Sequence, residues 1–215
     1  VLEHIRQAAW SRGRSAEAVL GAALARVAAD TLYTVKLPAV VGARCGLSLI
    51  VALTGAPGSG KSSSKAIAVE LLPRRILRPE CDDVPPGSGE GLIELLFTYE
   101  LEPDDDGNRR KVKKQTRNNV FTYADEGEVL GQQARRNSSS TILPIMRTVF
   151  TDGTLGQANA SEERKRRVPG GHYVYGIVLA IQPGKAGSLF EDAGGGTPQR
   201  FLWLPTDSPV PPPGQ

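Results

Sequence analysis

The chain has 215 residues, of which 40% are hydrophobic and 23% are charged, and this composition supports one folded domain with a sizeable core. Its net charge of +3 does not by itself indicate nucleic-acid binding, because affinity for phosphate backbones comes from clustered basic residues. Cys45 and Cys81 lie far apart, and together with two histidines they offer no plausible zinc spacing. There is no apolar run of membrane-spanning length and no signal-peptide pattern, so we expect a cytoplasmic protein without a membrane partner.

We expect the two ends of the sequence to be cuts through a longer polypeptide. The chain starts at Val1 rather than Met, and it ends in a proline-rich stretch over 209–213. We therefore expect three parts, which are an N-terminal helical and linker segment over 1–44, a core over 45–205, and a proline-rich tail or linker over 206–215.

Two helices are predicted before the core. The first runs from Leu2 to Ala9, and the second runs from Ala16 to Ala29 with Ser15 as its N-cap. The spacing of apolar residues in the second helix predicts that it buries Val19, Leu20, Ala23, Leu24 and Val27.

Strands and helices alternate along the rest of the chain, which predicts an α/β domain with a mainly parallel sheet and helices on both faces. The predicted strands of this sheet are 47–54, 75–78, 119–124, 172–181 and 201–204. The predicted helices are 62–72, 92–96 and 138–149, the last with Pro144 as an interruption. Segments 97–101 and 111–115 are expected to form a hairpin around an Asp-Asp-Asp-Gly turn at 104–107.

A glycine-rich loop lies between the first strand of this series and the helix after it. Its residues, which fit the pattern G-x-x-x-x-G-K-[ST] in full, are Gly55, Ala56, Pro57, Gly58, Ser59, Gly60, Lys61 and Ser62. Glycines let successive backbone N–H groups face one point, and the start of the helix adds its positive end. We expect this loop and Ser63 to hold ATP, with Lys61 on the β- and γ-phosphates and the Ser62 hydroxyl on Mg²⁺.

An acidic pair, Asp125 and Glu126, follows the predicted strand 119–124. The carboxyl ends of parallel strands border the ligand crevice of such a sheet, and we expect this strand to be a neighbour of the loop's own strand. Asp125 would then hold Mg²⁺ through water, and Glu126 would orient and deprotonate the attacking water, which separates hydrolysing ATPases from kinases. A solvated acidic turn is the alternative interpretation.

Three further residues are candidates for the same site. Gln182 ends the strand 172–181 and is either a sensor of the γ-phosphate or a satisfied polar strand end. Glu90 is a weaker rival for the catalytic glutamate. Multimeric ATPases place an arginine of the neighbouring subunit on the γ-phosphate, and Arg200 is our first choice for that role. The other candidates are Arg135, Arg136, Arg147 and Arg167.

Basic residues cluster at 109–117 and at 164–167. Each cluster is either a DNA-contacting surface or a solvated segment protected by its charge. The solvated strand is the favoured interpretation of the first cluster, and the two interpretations of the second are balanced.

Several runs of residues together resemble one protein family. They are 48–62, Gly-Ser-Gly-Glu-Gly-Leu at 87–92, Asp-Glu-Gly-Glu-Val-Leu at 125–130, Leu-Gly-Gln-Ala-Asn-Ala at 155–160 and Thr-Pro-Gln-Arg-Phe-Leu-Trp-Leu-Pro at 197–205. From about residue 1 to 205 the chain resembles actinobacterial phage and mobile-element proteins described as bifunctional primase–polymerases or helicase-like P-loop proteins. The resemblance implies a RecA-like or AAA+-like P-loop NTPase core, often fused to an upstream primase–polymerase domain.

The leading hypothesis is an oligomeric, Mg²⁺-dependent ATPase, such as a hexameric ring, that moves on single-stranded DNA during phage or mobile-element replication. One alternative is a P-loop kinase of a small molecule or nucleotide, which the acidic pair argues against. Another is a nucleotide-dependent switch that binds DNA or protein with little turnover.

Overall fold

The computed structural model describes residues 1–40, 42–103, 108–136, 140–156 and 167–207. The helices of this part are α1 (Leu2–Trp10), α2 (Ala16–Ala29), α3 (Lys61–Leu71), α4 (Gly89–Glu94), α5 (Glu128–Arg136), α6 (Ile142–Phe150) and α7 (Gly187–Phe190). Its strands are β1 (Leu49–Thr54), β2 (Phe97–Pro103), β3 (Arg109–Gln115), β4 (Asn119–Ala124), β5 (Val174–Ile181) and β6 (Phe201–Pro205).

The central sheet is parallel and has the strand order β4-β5-β1-β6, whereas β2 and β3 form a separate antiparallel hairpin. Every residue of β5 is buried, and so are the four middle residues of β1. Strands that are covered on both faces need apolar side chains in both directions, which explains their continuous apolar sequences. The predicted α/β class with a parallel sheet is confirmed.

Helices cover both faces of the sheet, as the sequence predicted. Gly176 of β5 packs against the backbone of Ala25 in α2, whereas the hydroxyl of adjoining Tyr175 donates to the Leu92 carbonyl in α4 at 2.8 Å. Consecutive residues of a strand point to opposite faces, so α2 and α4 lie on opposite sides. Residues of α1 and α3 pack together with α2 in one apolar cluster.

The packing of α2 differs from the predicted one. Leu24 and Val27, which the spacing assigned to the core, are 44% and 47% exposed. The side that faces the sheet carries small residues instead, and these are Ala18, Gly21, Ala25 and Ala29. Small side chains let a helix lie close to a sheet, and that gain in packing outweighs the burial of two larger side chains.

The N-terminal segment takes part in the core of the domain, because α2 contributes Ala18, Ala25 and Ala29 to the same apolar cluster as the sheet. The boundary proposed at residue 44 stays a prediction. Within the described residues, none of the helices combines the length and the apolar character that crossing a bilayer requires.

Segment 75–78 is not a strand, so that prediction was wrong. The carboxylate of Asp30, which follows α2, accepts hydrogen bonds from the backbone N–H groups of Arg75, Ile76 and Leu77 at 2.8–3.1 Å. In a strand these N–H groups would donate to a neighbouring strand. Here they donate to Asp30 at the end of α2, so the segment cannot pair in the sheet.

The helix predicted over 138–149 is found as α6 at Ile142–Phe150, and Pro144 does not interrupt it. Pro144 lies in the first turn, where a backbone N–H has no partner within the helix and a proline costs little. Helix α5, directly before it, was not predicted. Some predictions fall outside the described residues, namely the hairpin turn at 104–107, the basic residues at 164–166, part of the run at 155–160, and the tail after 207.

Replacing Gly176 with alanine tests the close contact between α2 and the sheet. The new β-carbon would clash with the Ala25 carbonyl oxygen, so the helix would have to move away. We expect the free energy of unfolding to fall by about 1–3 kcal/mol in urea denaturation. Gly87→Ala is the matched control, because a β-carbon there meets no atom within 4 Å. Equal stabilities for the two variants would contradict the close packing.

Candidate functional site

The carboxyl ends of all four parallel strands lie at one edge of the sheet. Thr54, the last residue of β1, pairs with Ile181 of β5 and Pro205 of β6, and Ala124 of β4 pairs with Leu179. The residues that follow these strands directly are Gly55, Asp125, Gln182 and Thr206. The glycine-rich loop and the acidic pair therefore lie at the same edge of the sheet, as predicted. This is the edge at which open α/β sheets bind their ligands.

The order of the strands corrects one expectation. Strand β4, which carries Asp125, is not the neighbour of β1, because β5 lies between them. The loop and the acidic pair are held together through β5, where the N–H of Gly55 donates to Ile181 at 3.2 Å and that of Gly127 donates to Ala180 at 2.8 Å. Gln182, which follows β5, therefore lies between the loop and Asp125.

The glycine-rich loop has the backbone that the motif requires. Gly58 and Gly60 have φ angles of +77° and +95°, which side-chain-bearing residues rarely adopt. Helix α3 begins directly afterwards at Lys61, and there is no acidic residue in its first turn. The positive end of α3 therefore faces the crevice without a carboxylate on its first turn to offset it.

Thr206 braces the start of this loop. Its hydroxyl donates to the Thr54 carbonyl at 3.0 Å and lies 2.6 Å from the hydroxyl of Ser59. Thr206 is only 5% exposed, although the sequence-based division assigned it to the tail. Nothing in the sequence around the short strand β6 indicates that Thr206, the residue after it, contacts the loop.

The Lys61 side chain lies inside the curve of the loop and is 9% exposed. Its ammonium donates to the carbonyl oxygens of Gly55 and Ala56 at 2.7 and 2.8 Å. These two bonds hold a positive charge at the centre of the loop, and an ammonium has a third N–H for an anion.

Ser62 and Asp125, the two predicted magnesium ligands, are in contact. The Ser62 hydroxyl donates to Oδ1 of Asp125 at 3.1 Å, and the Tyr123 hydroxyl donates to the same oxygen at 2.7 Å. Burial raises the pKa of Tyr123, so its phenol stays protonated and remains a donor. Tyr123 was not predicted as a site residue, although it precedes Asp125 by two positions and so points to the same side of β4.

This donor set fits Mg²⁺ held together with a nucleotide. Mg²⁺ prefers oxygen ligands and usually binds through one or two carboxylates, substrate phosphates and water. The Ser62 hydroxyl and the Asp125 carboxylate are such oxygens, next to the glycine-rich loop. Among the described residues, no group of three or more His, Cys, Asp or Glu side chains could hold a metal by itself. The phosphates would therefore have to complete the coordination.

These residues border a cavity of about 470 Å³. Its lining includes Lys61, Ser62, Ser63, Asp125, Glu126 and Gln182, together with loop residues and Arg14. Glu126 is exposed and faces this cavity. A second cavity of about 440 Å³ shares Asp125 and Glu126 and extends toward Asp83 and Pro85. Both volumes lie in the range of small-molecule sites.

Two of the candidates lie away from this cavity. Arg200 precedes β6, and because β6 runs parallel to β1, it lies at the opposite edge of the sheet, roughly 20 Å along the strands from the loop. Its guanidinium donates to the Gly196 carbonyl at 2.5 Å. It cannot reach the loop of its own chain, and its role toward a neighbouring subunit stays a prediction. Glu90, on α4, accepts a hydrogen bond from Thr141 at 2.7 Å.

Arg14 is a member of the site that sequence reasoning missed. A β-carbon built on Gly60 would lie 2.6 Å from Cδ and 2.9 Å from Nε of Arg14, so the side chain passes directly over the loop. The sequence showed only a break between two helices at this position.

The chain matches no protein-family model, and no curated protein matches it. The resemblance to phage and mobile-element proteins therefore stays a prediction. The class that the fold defines is an α/β protein with a four-stranded parallel sheet and helices, compatible with a Rossmann-like or P-loop-like fold.

Tyr123→Phe tests whether the Tyr123 hydroxyl orients Asp125. Losing the 2.7 Å hydrogen bond should lower the affinity for Mg²⁺. The Mg²⁺ concentration at which nucleotide binding is half-maximal should therefore rise by about 10-fold, as is usual when a group that orients a metal ligand is removed. Mg²⁺ titration of a fluorescent ATP analogue measures this effect. Tyr33→Phe is the control, because Tyr33 stacks on His172 at the opposite edge of the sheet. Identical Mg²⁺ dependence in the two variants would contradict the role of Tyr123.

Proposed function

We propose that the chain is a Mg²⁺-dependent P-loop nucleoside triphosphatase with ATP as its nucleotide. The observation that carries this proposal is the convergence of three strand ends on one cavity. Lys61 and Ser62 follow β1, Asp125 and Glu126 follow β4, and Gln182 follows β5. A glycine-rich turn without a function would not need an acidic pair and a polar amide at the same edge.

In the proposed reaction, the loop N–H groups and Lys61 bind the β- and γ-phosphates. Mg²⁺ held by Ser62 and Asp125 would neutralise charge on these phosphates. Glu126 accepts a proton from water as the water oxygen bonds to the γ-phosphorus. The bond between that phosphorus and the bridging oxygen breaks, so ADP and phosphate leave. Gln182 lines the same cavity, and its amide would donate to the γ-phosphate or hold the attacking water.

A P-loop kinase is the second candidate, and the cavity of about 440 Å³ favours it. This cavity borders Asp125 and Glu126 from the side away from the loop, so an acceptor hydroxyl could approach the same carboxylates. In a kinase Glu126 would take its proton from that hydroxyl rather than from water. Phosphate release without an added acceptor therefore separates the two reactions, and nucleotide binding without turnover would indicate a switch.

Glu126→Gln tests the hydrolytic role. We expect phosphate release from ATP to fall by about 100-fold or more, because a general base typically contributes that much, while ATP affinity stays within a few-fold of the wild type. Lys61→Ala should lose ATP affinity itself. Glu90→Gln is the matched control and should hydrolyse ATP normally. Loss of hydrolysis in Glu90→Gln but not in Glu126→Gln would contradict the assignment, and a wild-type chain without Mg²⁺-dependent ATP binding would refute the proposed function.

We further propose that hydrolysis is coupled to movement on single-stranded DNA in an oligomer, as the family resemblance implies. The hairpin β2–β3 supports the DNA contact. On one of its faces Tyr99 and Leu101, each 58% exposed, lie opposite Lys113 and Lys111. Exposed aromatic rings beside basic side chains are typical of surfaces that stack bases and bind phosphates.

The two faces of this hairpin differ in how their charges are compensated. On the face opposite to Tyr99, Lys114 forms ion pairs with both Glu100 and Glu102. On the Tyr99 face Lys113 pairs with Glu94, whereas no ion pair joins Lys111 to any described residue. Among the described residues, Lys111 is therefore a basic side chain without a carboxylate partner on the face that carries the exposed Tyr99.

Lys111→Gln and Lys114→Gln test this face, because each removes one positive charge from the same strand. Lys111→Gln should weaken binding of single-stranded DNA and reduce the slope of affinity against salt by about one charge. Lys114→Gln should change binding less. Fluorescence anisotropy over a range of salt concentrations measures both. Equal effects, or DNA binding that does not depend on salt, would contradict a specific role for the Tyr99 face.

A further inference from the structure

Arg14 lies at the phosphate loop although it is 41 positions before the first glycine of the loop. It belongs to the turn between α1 and α2, and its side chain passes over Gly60 and lines the same cavity as Lys61 and Ser63. Gly60 makes room for it, because a β-carbon there would lie 2.6 Å from Cδ of Arg14. The contact thus joins the N-terminal helices to the start of α3.

The backbone beside Arg14 is anchored at this edge of the sheet. Ser15 is fully buried, and its hydroxyl donates to the carbonyl of Pro205, the last residue of β6, at 3.0 Å. The same oxygen accepts the N–H of Ala18 and caps α2. The N–H of Arg14 donates to Ala9 at the end of α1 at 2.9 Å. The backbone of Arg14 is therefore held on both sides, by α1 before it and by Ser15 after it.

Within the part of the chain that the structure describes, no ion pair uses the charge of Arg14. Two arginines of the same helical layer have carboxylate partners, since Arg12 pairs with Glu70 at 2.7 Å and Arg26 pairs with Asp82. Among the described residues, the only hydrogen bond of the Arg14 guanidinium goes to the neutral Gly13 carbonyl at 3.1 Å, and no carboxylate forms an ion pair with it. A guanidinium has five N–H groups, so most of them remain for another acceptor.

Positive groups therefore converge on one side of the cavity, namely the Arg14 guanidinium, the Lys61 ammonium and the N-terminus of α3. Such a set is stabilised by an anion with several oxygens, and the planar guanidinium fork suits phosphate in particular.

We propose that Arg14 binds the phosphate chain of the nucleotide held by its own subunit. This inference rests on the proposed function and adds a phosphate ligand in cis, supplied by the N-terminal helices. It is separate from any arginine that a neighbouring subunit contributes. The ligand is a nucleoside di- or triphosphate, because Arg14 lies beside the part of the loop that faces the phosphates rather than beside an apolar pocket for a base.

The test compares Arg14→Ala and Arg14→Lys with Arg12→Ala in the full chain, by titration with fluorescent ATP and ADP analogues and Mg²⁺. Arg14→Ala should weaken binding of ATP, ADP or both by about 10-fold or more, the usual effect of losing a charged hydrogen bond. Arg14→Lys should recover only part of this loss, because it keeps the charge but not the fork. Arg12→Ala removes the ion pair with Glu70 from the same turn and should bind normally.

The outcomes separate this inference from the proposed function. If the wild-type chain binds no nucleotide, both fail. If the wild type binds nucleotide and Arg14→Ala binds it equally well, only the inference is wrong. If Arg14→Ala and Arg12→Ala weaken binding alike, with similarly lowered melting temperatures, Arg14 acts through the fold, and the inference is also wrong.

Mixing subunits distinguishes cis from trans. Lys61→Ala and Arg14→Ala chains each lack one phosphate ligand, and no mixed assembly restores both ligands to one site if Arg14 acts in cis. The mixture should therefore show no recovery of nucleotide binding above the sum of the two separate variants. Recovery above that sum would overturn the cis assignment.

Discussion

The parallel pairing of β1 with β5 and β6, and of β5 with β4, is the constraint on which the rest of the structure depends. Because all four strands run in the same direction, their carboxyl ends meet at one edge. Residues that are far apart in the sequence, such as Lys61 and Gln182, therefore line the same cavity. If β5 ran antiparallel to β1, Gln182 would lie at the other edge, as Arg200 does now.

The close approach of α2 to the sheet has a second consequence at this edge. Gly176 and the small residues of α2 let the helix lie against the sheet, and Ser15 fixes its start to the end of β6. The turn before α2 is therefore tied to the sheet through Ser15, and it brings Arg14 over Gly60. An N-terminal segment that could be taken for an appendage thus supplies part of the candidate site.

The site combines side chains that are positioned by hydrogen bonds with an exposed glutamate. Lys61, Ser62 and Asp125 are tied by hydrogen bonds to the loop, to each other and to Tyr123. Glu126 is exposed beside them. In the proposed reaction this division is useful, because the groups that bind phosphate and metal must be held in place before the reaction. The group that accepts the proton needs contact with water.

The sequence by itself determined the strand–loop–helix unit at 49–71, the acidic pair after β4, the strand β5 and the cap at Ser15, since each depends on residues that are neighbours in the chain. Tertiary structure decided the strand order, the sheet-facing side of α2, and the inclusion of Arg14, Tyr123 and Thr206 in the site. The physical reason is that the spacing of apolar residues reflects only the local chain, whereas the side of an element that becomes buried depends on the surface that packs against it. Nothing in the neighbouring sequence of a polar turn residue indicates which loop it will contact. Only the packing of α2 and β6 brings Arg14 and Thr206 to the glycine-rich loop.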